Sequence, residues 1–235
     1  RKENYERAII KLNQAINIGP KKQVKARWYY ILGQLYIVEG KKAEGIEYFT
    51  RAKEASNSYE LDFHSFVSII LNSSRNKDEL LDLRKQLLKM TKDIKNDIYL
   101  DIIYYGLAEI EFKLGDDKKA EEYLKLSVAY TSGNKTQEIK TYLRLANYYF
   151  ENKNYVNAQE YYDLAVVILP EDYPNYYVIK NKTISLNQLV TDLNTITFQD
   201  SIQRVSKMDA GDRDLFIEEL IAKKIEHKLH LHKLV

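Results

Sequence analysis

Residues 141–170, TYLRLANYYFENKNYVNAQEYYDLAVVILP, constrain the fold of this chain more than any other stretch. Small residues alternate there with large apolar residues at a helical spacing, on both sides of a polar turn. Small side chains let two helices cross closely, and large side chains fill the space beside the crossing. The segment therefore predicts a two-helix unit of about 34 residues, whose defining positions are Tyr142, Leu145, Ala146, Tyr149, Ala158, Tyr162, Ala165 and Pro170.

The same spacing occurs twice upstream as a full helix pair. One copy spans residues 26–56, where Gly40 ends the first helix, and another spans residues 98–131. Leu32 precedes Leu107 by 75 residues and Leu107 precedes Leu145 by 38 residues, so the copies form a regular array. The matching positions are Tyr29, Leu32, Gly33, Tyr36, Gly45, Phe49 and Ala52 in the first copy, and Tyr104, Leu107, Ala108, Ala120, Leu124 and Ser127 in the second.

Two further segments complete the array. Residues 1–20 supply only a second helix, with Ala8, Leu12 and Ala15 at the expected offsets and Pro20 after them. Residues 58–92 keep the helical spacing of apolar residues but have lost the small ones, so they predict a degenerate helix pair with a polar break at 72–76.

These positions resemble the tetratricopeptide repeat, whose helix pairs stack into a solenoid. The resemblance predicts an all-α, helical-repeat solenoid of four to five helix pairs over residues 1–170: a half repeat at 1–20 and repeats at about 26–56, 58–92, 98–131 and 138–170. Residues 171–235 are predicted to form C-terminal capping and extension helices, because the last apolar face of an array must be covered.

Within the C-terminal part, the residues around Pro174 predict a helix start, followed by an apolar-rich capping helix. We expect a separate short helix near 198–208 and then a last helix capped by Asp212 or a neighbour. The last helix carries an apolar stripe that either packs back on the array or awaits a partner. The stripe consists of Phe216, Ile217, Leu220, Ile221 and Ile225.

Composition excludes several classes of protein. Lys and Arg total 36 against 34 Asp and Glu, with the two signs interspersed, so no electrostatic footprint for nucleic acid is present. No apolar run approaches the roughly 20 residues that span a bilayer. The absence of cysteine removes disulfides and thiol chemistry but leaves the cellular compartment open. Because Arg1 begins inside a helical pattern, we expect the chain to be an excised fragment.

The sequence offers little support for catalysis, and we predict no catalytic residue, metal or cofactor. His64 lies beside an apolar helical face, where a structural histidine is expected. His227, His230 and His232 are within reach of one metal on a helix, but the segment is terminal and lacks further acidic ligands, so we interpret it as a charged helix end. No phosphate-binding glycine loop or nucleophile elbow occurs.

The first helix of each pair lines the concave surface of such arrays and is the predicted binding site for a protein partner. Repeat positions 5, 9 and 12 predict an aromatic-lined groove suited to an extended peptide or a partner helix. The competing possibility is that the C-terminal helices fill this groove. The candidate residues are Tyr30, Gln34, Ile37, Tyr105, Glu109, Phe112, Leu143, Asn147 and Phe150.

The segment LNQLVTDLNTITFQDSIQRVSKMDAGDRDLFIEELI at 186–221 resembles the PorW/SprE family of repeat lipoproteins, as does LLKMTKDIKNDIYLDIIYYGLAEI at 87–110. That family is associated with the type IX secretion system and gliding motility. The resemblance implies a periplasmic, outer-membrane-anchored lipoprotein that links the motor ring to the outer-membrane translocon. The most specific part of the likeness is QDSIQR at 199–204, whose candidate epitope residues are Gln199, Asp200, Gln203 and Arg204. Asp200 and Ser201 equally fit a helix start.

Two functional hypotheses follow. The leading one is a non-enzymatic scaffold in protein export, whose partners are secretion-machinery components. The alternative is a cytoplasmic tetratricopeptide module that binds an extended peptide or helix and regulates another process. Both require protein partners, and neither requires nucleic acid or a membrane span within this chain.

Overall fold

The computed structural model describes residues 2–19, 21–72, 76–131 and 133–232, and these residues are all-α with no strand. This confirms the predicted all-α, helical-repeat fold class. The helices are α1 (Lys2–Asn17), α2 (Lys22–Val38), α3 (Lys42–Ala55), α4 (Tyr59–Asn72), α5 (Lys77–Met90), a 3₁₀ helix (Ile94–Tyr99), α6 (Leu100–Leu114), α7 (Asp117–Ala129), α8 (Lys135–Glu151), α9 (Tyr155–Ile168), α10 (Tyr176–Ser206) and α11 (Ala210–His232).

Helix order and packing define two kinds of helix. The pairs α2/α3, α6/α7 and α8/α9 are hairpins whose short connections make the two helices antiparallel neighbours. We call the first helix of each pair an A helix and the second a B helix. Each B helix packs on the A helix that follows it, and the A helices α2, α4, α6 and α8 contact one another in chain order. The array therefore grows by stacking one hairpin on the next.

Polar caps set where the hairpins turn. The side chains of Asp116 and Asn154 accept hydrogen bonds from backbone N–H groups in the first turns of α7 and α9. Asn134 caps α8 in the same way. Gly115 follows α6 at φ 82°, a left-handed conformation that favours glycine. These caps satisfy the unpaired backbone groups at the helix ends and fix the hairpin boundaries.

Small residues bring the paired helices into close contact. A Cβ atom on Gly33 of α2 would lie 2.6 Å from the ring of Phe49 on α3, and a Cβ atom on Gly45 would lie 2.6 Å from Ile37. In α8 and α9, the fully buried Ala146 and Ala158 have the same role. The feature that these two hairpins share is thus a tight crossing that leaves little room for a larger side chain.

The degenerate second pair uses large residues instead. Its core contains Phe63 and Ile70 from α4, Leu87 from α5 and Ile103 from α6. The closest neighbour of α5 is α6. At the end of α4, the Lys113 ammonium of α6 donates to the carbonyl oxygens of Ile70 and Leu71, at 3.0 and 3.2 Å. This contact satisfies terminal carbonyl groups of α4 and ties the second pair to the third.

The C-terminal helices differ in part from the prediction. The first half of α10 packs on α9 through the buried residues Thr183, Leu186 and Val190. A separate short helix near 198–208 is wrong, because α10 continues without a break to Ser206. Residues 176–206 contain no proline or glycine that would end the helix. The helix predicted to start around Pro174 begins later, at Tyr176, because residues 171–175 form a turn.

The last helix is only loosely attached to the rest of the described chain. Its N-terminal cap is Asp209, whose side chain accepts from the backbone N–H of Asp212 at 2.9 Å. The cap thus lies three residues before Asp212, whereas the sequence predicted Asp212 or a neighbour. Apart from the half-buried Phe216, the apolar stripe of α11 is exposed, with 44–55% of Ile217, Leu220 and Ile225 accessible to solvent. Among the described helices, none is long and apolar enough to cross a membrane.

Candidate functional site

The candidate residues on α2 form a group of their own. The Tyr30 ring packs at 5.3 Å from the Phe49 ring, and its hydroxyl lies 3.4 Å from the Ser68 hydroxyl of α4. Ile37 is half-buried against Gly45, whereas Gln34 is exposed. Because α4 stands between α2 and α6, these three residues are separated from the other six candidates.

The candidate residues on α6 lie against α8. Glu109 and Arg144 form an ion pair with a nitrogen–oxygen distance of 2.6 Å. The same guanidinium lies 3.8 Å from the centre of the Phe112 ring. Tyr105 is half-buried in the core around α8, and this burial together with the nearby Glu109 carboxylate raises the pKa of its hydroxyl. Arg144 was not among the predicted site residues, yet it holds the α6 group together.

The candidate residues on α8 lie against α9 and α10. The amide oxygen of Asn147 accepts a hydrogen bond from the Tyr162 hydroxyl at 2.5 Å and one from the Lys182 ammonium at 3.4 Å. The same ammonium lies 4.0 Å from the centre of the Phe150 ring. Leu143 is half-buried in the core shared by α6 to α10. Lys182, like Arg144, was missed by reasoning from the sequence.

These two groups are copies of one arrangement. In both, a cation from the next A-type helix lies over a phenylalanine and contacts a polar side chain one turn before it. The copies are 38 residues apart at all three positions, which matches the period of the array. We call this arrangement the cation–Phe ladder: Glu109, Phe112 and Arg144 form its first rung, and Asn147, Phe150 and Lys182 form its second.

The position of α10 bears on whether the surface of the A helices is covered. In the described ranges, α10 packs beside α9 and continues the array as the next A-type helix. Neither α10 nor α11 packs across α2, α4 or α6. Lys182 is the side chain of α10 that reaches Asn147 and Phe150, and all three are half-buried rather than fully covered. The ladder is therefore partly open to solvent.

The second candidate surface lies where α10 ends and α11 begins. Gln199, Asp200, Gln203 and Arg204 are all exposed on the last turns of α10. The Arg204 guanidinium lies 4.7 Å from the ring centre of Phe216 on α11. A groove beside this contact is lined mainly by apolar side chains: Phe198, Ile202, Val205, Phe216 and Leu220. We call this groove the C-terminal groove.

One interpretation of this region was wrong. Asp200 and Ser201 are not at a helix start, because α10 runs through them. The Ser201 hydroxyl instead donates to the Thr197 carbonyl oxygen, one turn earlier, at 2.8 Å. A serine that bonds back in this way satisfies its own hydroxyl and leaves the helix intact. QDSIQR is therefore a largely exposed segment in the last turns of α10.

The structure describes the side chain of only one of the four histidines. His64 packs edge-on against the rings of Phe63 and Tyr99, and burial lowers its pKa. The side chains of His227, His230 and His232 lie outside the part of the chain for which side chains are described. Within the described residues, no group of three side chains is arranged to hold a metal ion.

Two buried carboxylates also escaped the sequence reasoning. Glu111 of α6 has only 1% of its side chain exposed and faces Arg84 of α5 and Lys119 of α7. It occupies the repeat position held by Tyr36 and Tyr149 elsewhere, and this exception was visible in the sequence. Asp101, at the start of α6, is equally buried, and nothing in its local sequence distinguished it from an ordinary first-turn acid.

Comparison with known proteins supports the repeat assignment. A model of the tetratricopeptide repeat matches residues 26–59, 102–134 and 139–168, which leaves the degenerate pair α4/α5 unmatched. No sequence among the curated proteins matches the chain significantly. A solved structure from a functional characterization of Pseudomonas aeruginosa pilF is 16% identical, with a TM-score of 0.47, over 92% of this chain and 90% of that chain. At that similarity the likeness carries no argument.

Fold and comparison together identify the architecture. Three matched repeats, the hairpins that contain them and the stacking of A helices on one another are mutually consistent. Stacked helical repeats present extended surfaces that bind other proteins. The chain is an all-α helical-repeat solenoid that contains tetratricopeptide repeats, the architecture of a protein–protein interaction scaffold.

Proposed function

We propose that this chain is a non-enzymatic scaffold of the type IX secretion and gliding machinery. In this proposal it acts in the periplasm as part of an outer-membrane-anchored protein and links the motor ring to the translocon. The proposal starts from the likeness of residues 186–221 and 87–110 to the PorW/SprE family. The upstream segment contains buried residues that the fold requires, whereas much of the downstream segment is exposed.

The upstream segment is accounted for by packing. Asn96, in the 3₁₀ helix, is fully buried and donates from its side-chain amide to the Met90 carbonyl oxygen at 2.9 Å, and the Tyr59 hydroxyl donates to its amide oxygen. Ile103 is also fully buried in the core of α4, α5 and α6. A family likeness at such positions reflects the needs of the fold and says little about partners.

Beyond Val190 the downstream segment has no such structural role, and this observation carries the proposal. Residues 191–200 of α10 are all exposed, and Phe198 and Ile202 have 61% and 47% of their surface accessible. Leu220 of α11, on the other side of the C-terminal groove, is 51% exposed. Contiguous exposed apolar side chains mark interaction sites. A partner that covers this groove supplies the burial that the chain itself does not.

Affinity capture from a periplasmic extract tests the proposal. The wild-type chain should recover type IX secretion components, and Ile202→Glu should lose them because it places a charge in the C-terminal groove. Val167→Glu is the matched control, since Val167 of α9 is an exposed apolar residue, 82% accessible, outside this groove. Recovery of cytosolic chaperones alone contradicts the proposal, as does equal recovery by the two glutamate variants.

The alternative is a cytoplasmic module that binds an extended peptide along the A helices. The partly open cation–Phe ladder favours it, because the ladder combines charged groups with aromatic rings on one surface. Tyr105→Ala is a poor probe of this idea, since Tyr105 is packed in the core and its loss perturbs the fold. Tyr105→Phe keeps the packing and removes only the hydroxyl. Because that hydroxyl is buried, Tyr105→Phe is the control and should leave peptide binding unchanged. Under this alternative, Phe150→Leu, which removes an aromatic ring from the half-buried second rung, weakens peptide binding while capture through the C-terminal groove is absent.

A further inference from the structure

The two rungs of the cation–Phe ladder differ in one chemical respect. In the first rung the cation, Arg144, is paired with the Glu109 carboxylate at 2.6 Å. In the second rung the position of Glu109 is taken by Asn147, which offers only a neutral amide oxygen to Lys182 at 3.4 Å. Lys182 forms no ion pair within 4.0 Å among the described residues. One rung is complete and the other lacks its carboxylate.

The surroundings of Lys182 hold its ammonium group in place. It lies 4.0 Å from the centre of the Phe150 ring and 4.8 Å from that of Tyr162. The faces of these rings attract a cation but do not neutralise its charge. Asn147 is also fixed, because its amide oxygen accepts from the Tyr162 hydroxyl at 2.5 Å. A positioned, half-buried cation beside an apolar ring is suited to accept an anionic group.

We propose that the second rung, formed by Asn147, Phe150 and Lys182, binds an acidic side chain of a partner peptide. The incoming carboxylate accepts a hydrogen bond from the Lys182 ammonium, beside Asn147, and supplies the negative charge that Glu109 provides in the first rung. Neighbouring apolar groups of the peptide pack on Phe150. This inference names the ligand chemistry of the peptide-binding alternative and rests on it, and it is independent of the C-terminal groove.

The first rung already contains a carboxylate, and comparison with it provides a test that needs no partner. Asn147→Asp replaces the amide with a carboxylate that can still accept a hydrogen bond from the Tyr162 hydroxyl. The variant should have a higher melting temperature, because the new carboxylate forms an ion pair with the Lys182 ammonium. The gain should vanish when Lys182 is changed to Met, which keeps much of the side chain but removes the charge. Glu109→Gln, the reverse change in the first rung, should lower the melting temperature. An equal effect of Asn147→Asp with and without Lys182 overturns the proposal.

Binding is tested with fluorescein-labelled synthetic peptides by fluorescence polarisation. One is a short acetylated and amidated peptide of repeated Leu-Glu-Ser, and its matched control has repeated Leu-Gln-Ser. The wild-type chain should bind the Glu peptide about fivefold more tightly, and Lys182→Met and Asn147→Asp should each abolish this preference. A Gln peptide with a free C-terminal carboxylate separates side-chain from terminal recognition.

Each outcome bears on the proposal. Equal binding of the Glu and Gln peptides overturns the acidic-side-chain assignment while leaving peptide binding itself intact. Binding of neither peptide overturns both this inference and the peptide-binding alternative. Binding of the free-terminus Gln peptide as tightly as the Glu peptide contradicts a side-chain ligand. A Glu preference that survives Lys182→Met places the recognition elsewhere and also overturns the proposal.

Discussion

The Glu111 carboxylate of α6 lies 3.4 Å from the Arg84 guanidinium of α5, although only 1% of the Glu111 side chain is exposed. Lys119 of α7 is 3.9 Å away on the other side. In other repeats a tyrosine fills this position, as at Tyr149. The glutamate therefore joins the degenerate second pair to the third through charge. Tyr149 instead stacks on Tyr161 of its own hairpin, and its hydroxyl donates to the Glu121 carboxylate of α7.

Removing Arg84 should destabilise the array more than removing a surface charge. Arg84→Met leaves a buried carboxylate with only the distant Lys119, and we expect a loss of about 1–3 kcal/mol in the free energy of unfolding by urea. Arg51→Met, which breaks the exposed Glu47–Arg51 pair of α3, is the control and should cost below about 0.5 kcal/mol.

A double-mutant cycle separates the ion pair from packing. Glu111→Gln combined with Arg84→Met should cost less than the sum of the two single changes, because neither charge is then left unpaired. Strict additivity of the two free-energy changes would show that the residues do not interact.

The glycine crossing of the first full hairpin should not tolerate a methyl group. Gly33→Ala places a Cβ atom 2.6 Å from the Phe49 ring, and we expect the helices to separate at a cost of about 1–3 kcal/mol despite the better helix propensity of alanine. Gly106→Ala is the control, since its Cβ atom would lie 3.2 Å from a flexible Leu87 methyl group. Thermal unfolding followed by circular dichroism measures both. A larger loss from Gly106→Ala would contradict the assignment.

Asp101 should make stability depend on pH. One of its carboxylate oxygens is buried without a hydrogen-bond partner, while the other accepts from the Ile102 N–H at 2.8 Å. Its polar surroundings, Ser127 of α7 and Thr141 of α8, are neutral and are bonded to a backbone oxygen and to each other. Burial therefore raises the pKa of Asp101 above its ordinary value of 3.8.

The sign of the pH effect follows from that shift. Because the folded-state pKa is raised, the folded protein binds the proton more tightly than the unfolded chain, and stability falls as pH rises from about 4 through the raised pKa. Asp101→Asn removes the ionisation. Its melting temperature should exceed that of the wild type at pH 7 and approach it near pH 4. A difference that stays constant across this range would contradict the account.

The capping contact of α10 should contribute substantially to stability. Leu186 has 2% of its surface exposed and packs in the core shared with α8 and α9. Leu186→Ala should cost about 2–4 kcal/mol in urea unfolding. Leu193→Ala, two turns further along the same helix and 37% exposed, should cost less than half as much. Equal costs would mean that the first half of α10 does not cover the end of the array.

Sequence reasoning succeeded where the structure depends on local spacing. The hairpins follow from small residues such as Ala146 and Ala158 at fixed offsets, because only they permit the close crossing. It failed where the role of a side chain depends on its contacts with a neighbouring repeat. In the sequence, Arg144 and Lys182 are indistinguishable from ordinary surface charges. In the structure they lie over the rings of Phe112 and Phe150.

The C-terminal errors have a related cause. Asp200 and Ser201 resemble a helix start when only their local sequence is considered. However, no proline or glycine lies between Tyr176 and Asp200 to end α10 before them. The degenerate α4/α5 pair was identified through the loss of small residues, yet the 3₁₀ helix at Ile94–Tyr99 that follows it was not. That turn depends on Asn96, which is held by Met90 and Tyr59 from outside the segment.

We propose that this scaffold engages a secretion-machinery protein through the C-terminal groove. The most direct measurement is photo-crosslinking in the native cells, with a photoreactive amino acid at position 202 of α10 and, as the control, at position 167 of α9. We expect position 202 to yield a covalent adduct with a type IX secretion component and position 167 to yield none. Absence of an adduct from position 202, or the same adduct from both positions, would contradict the account.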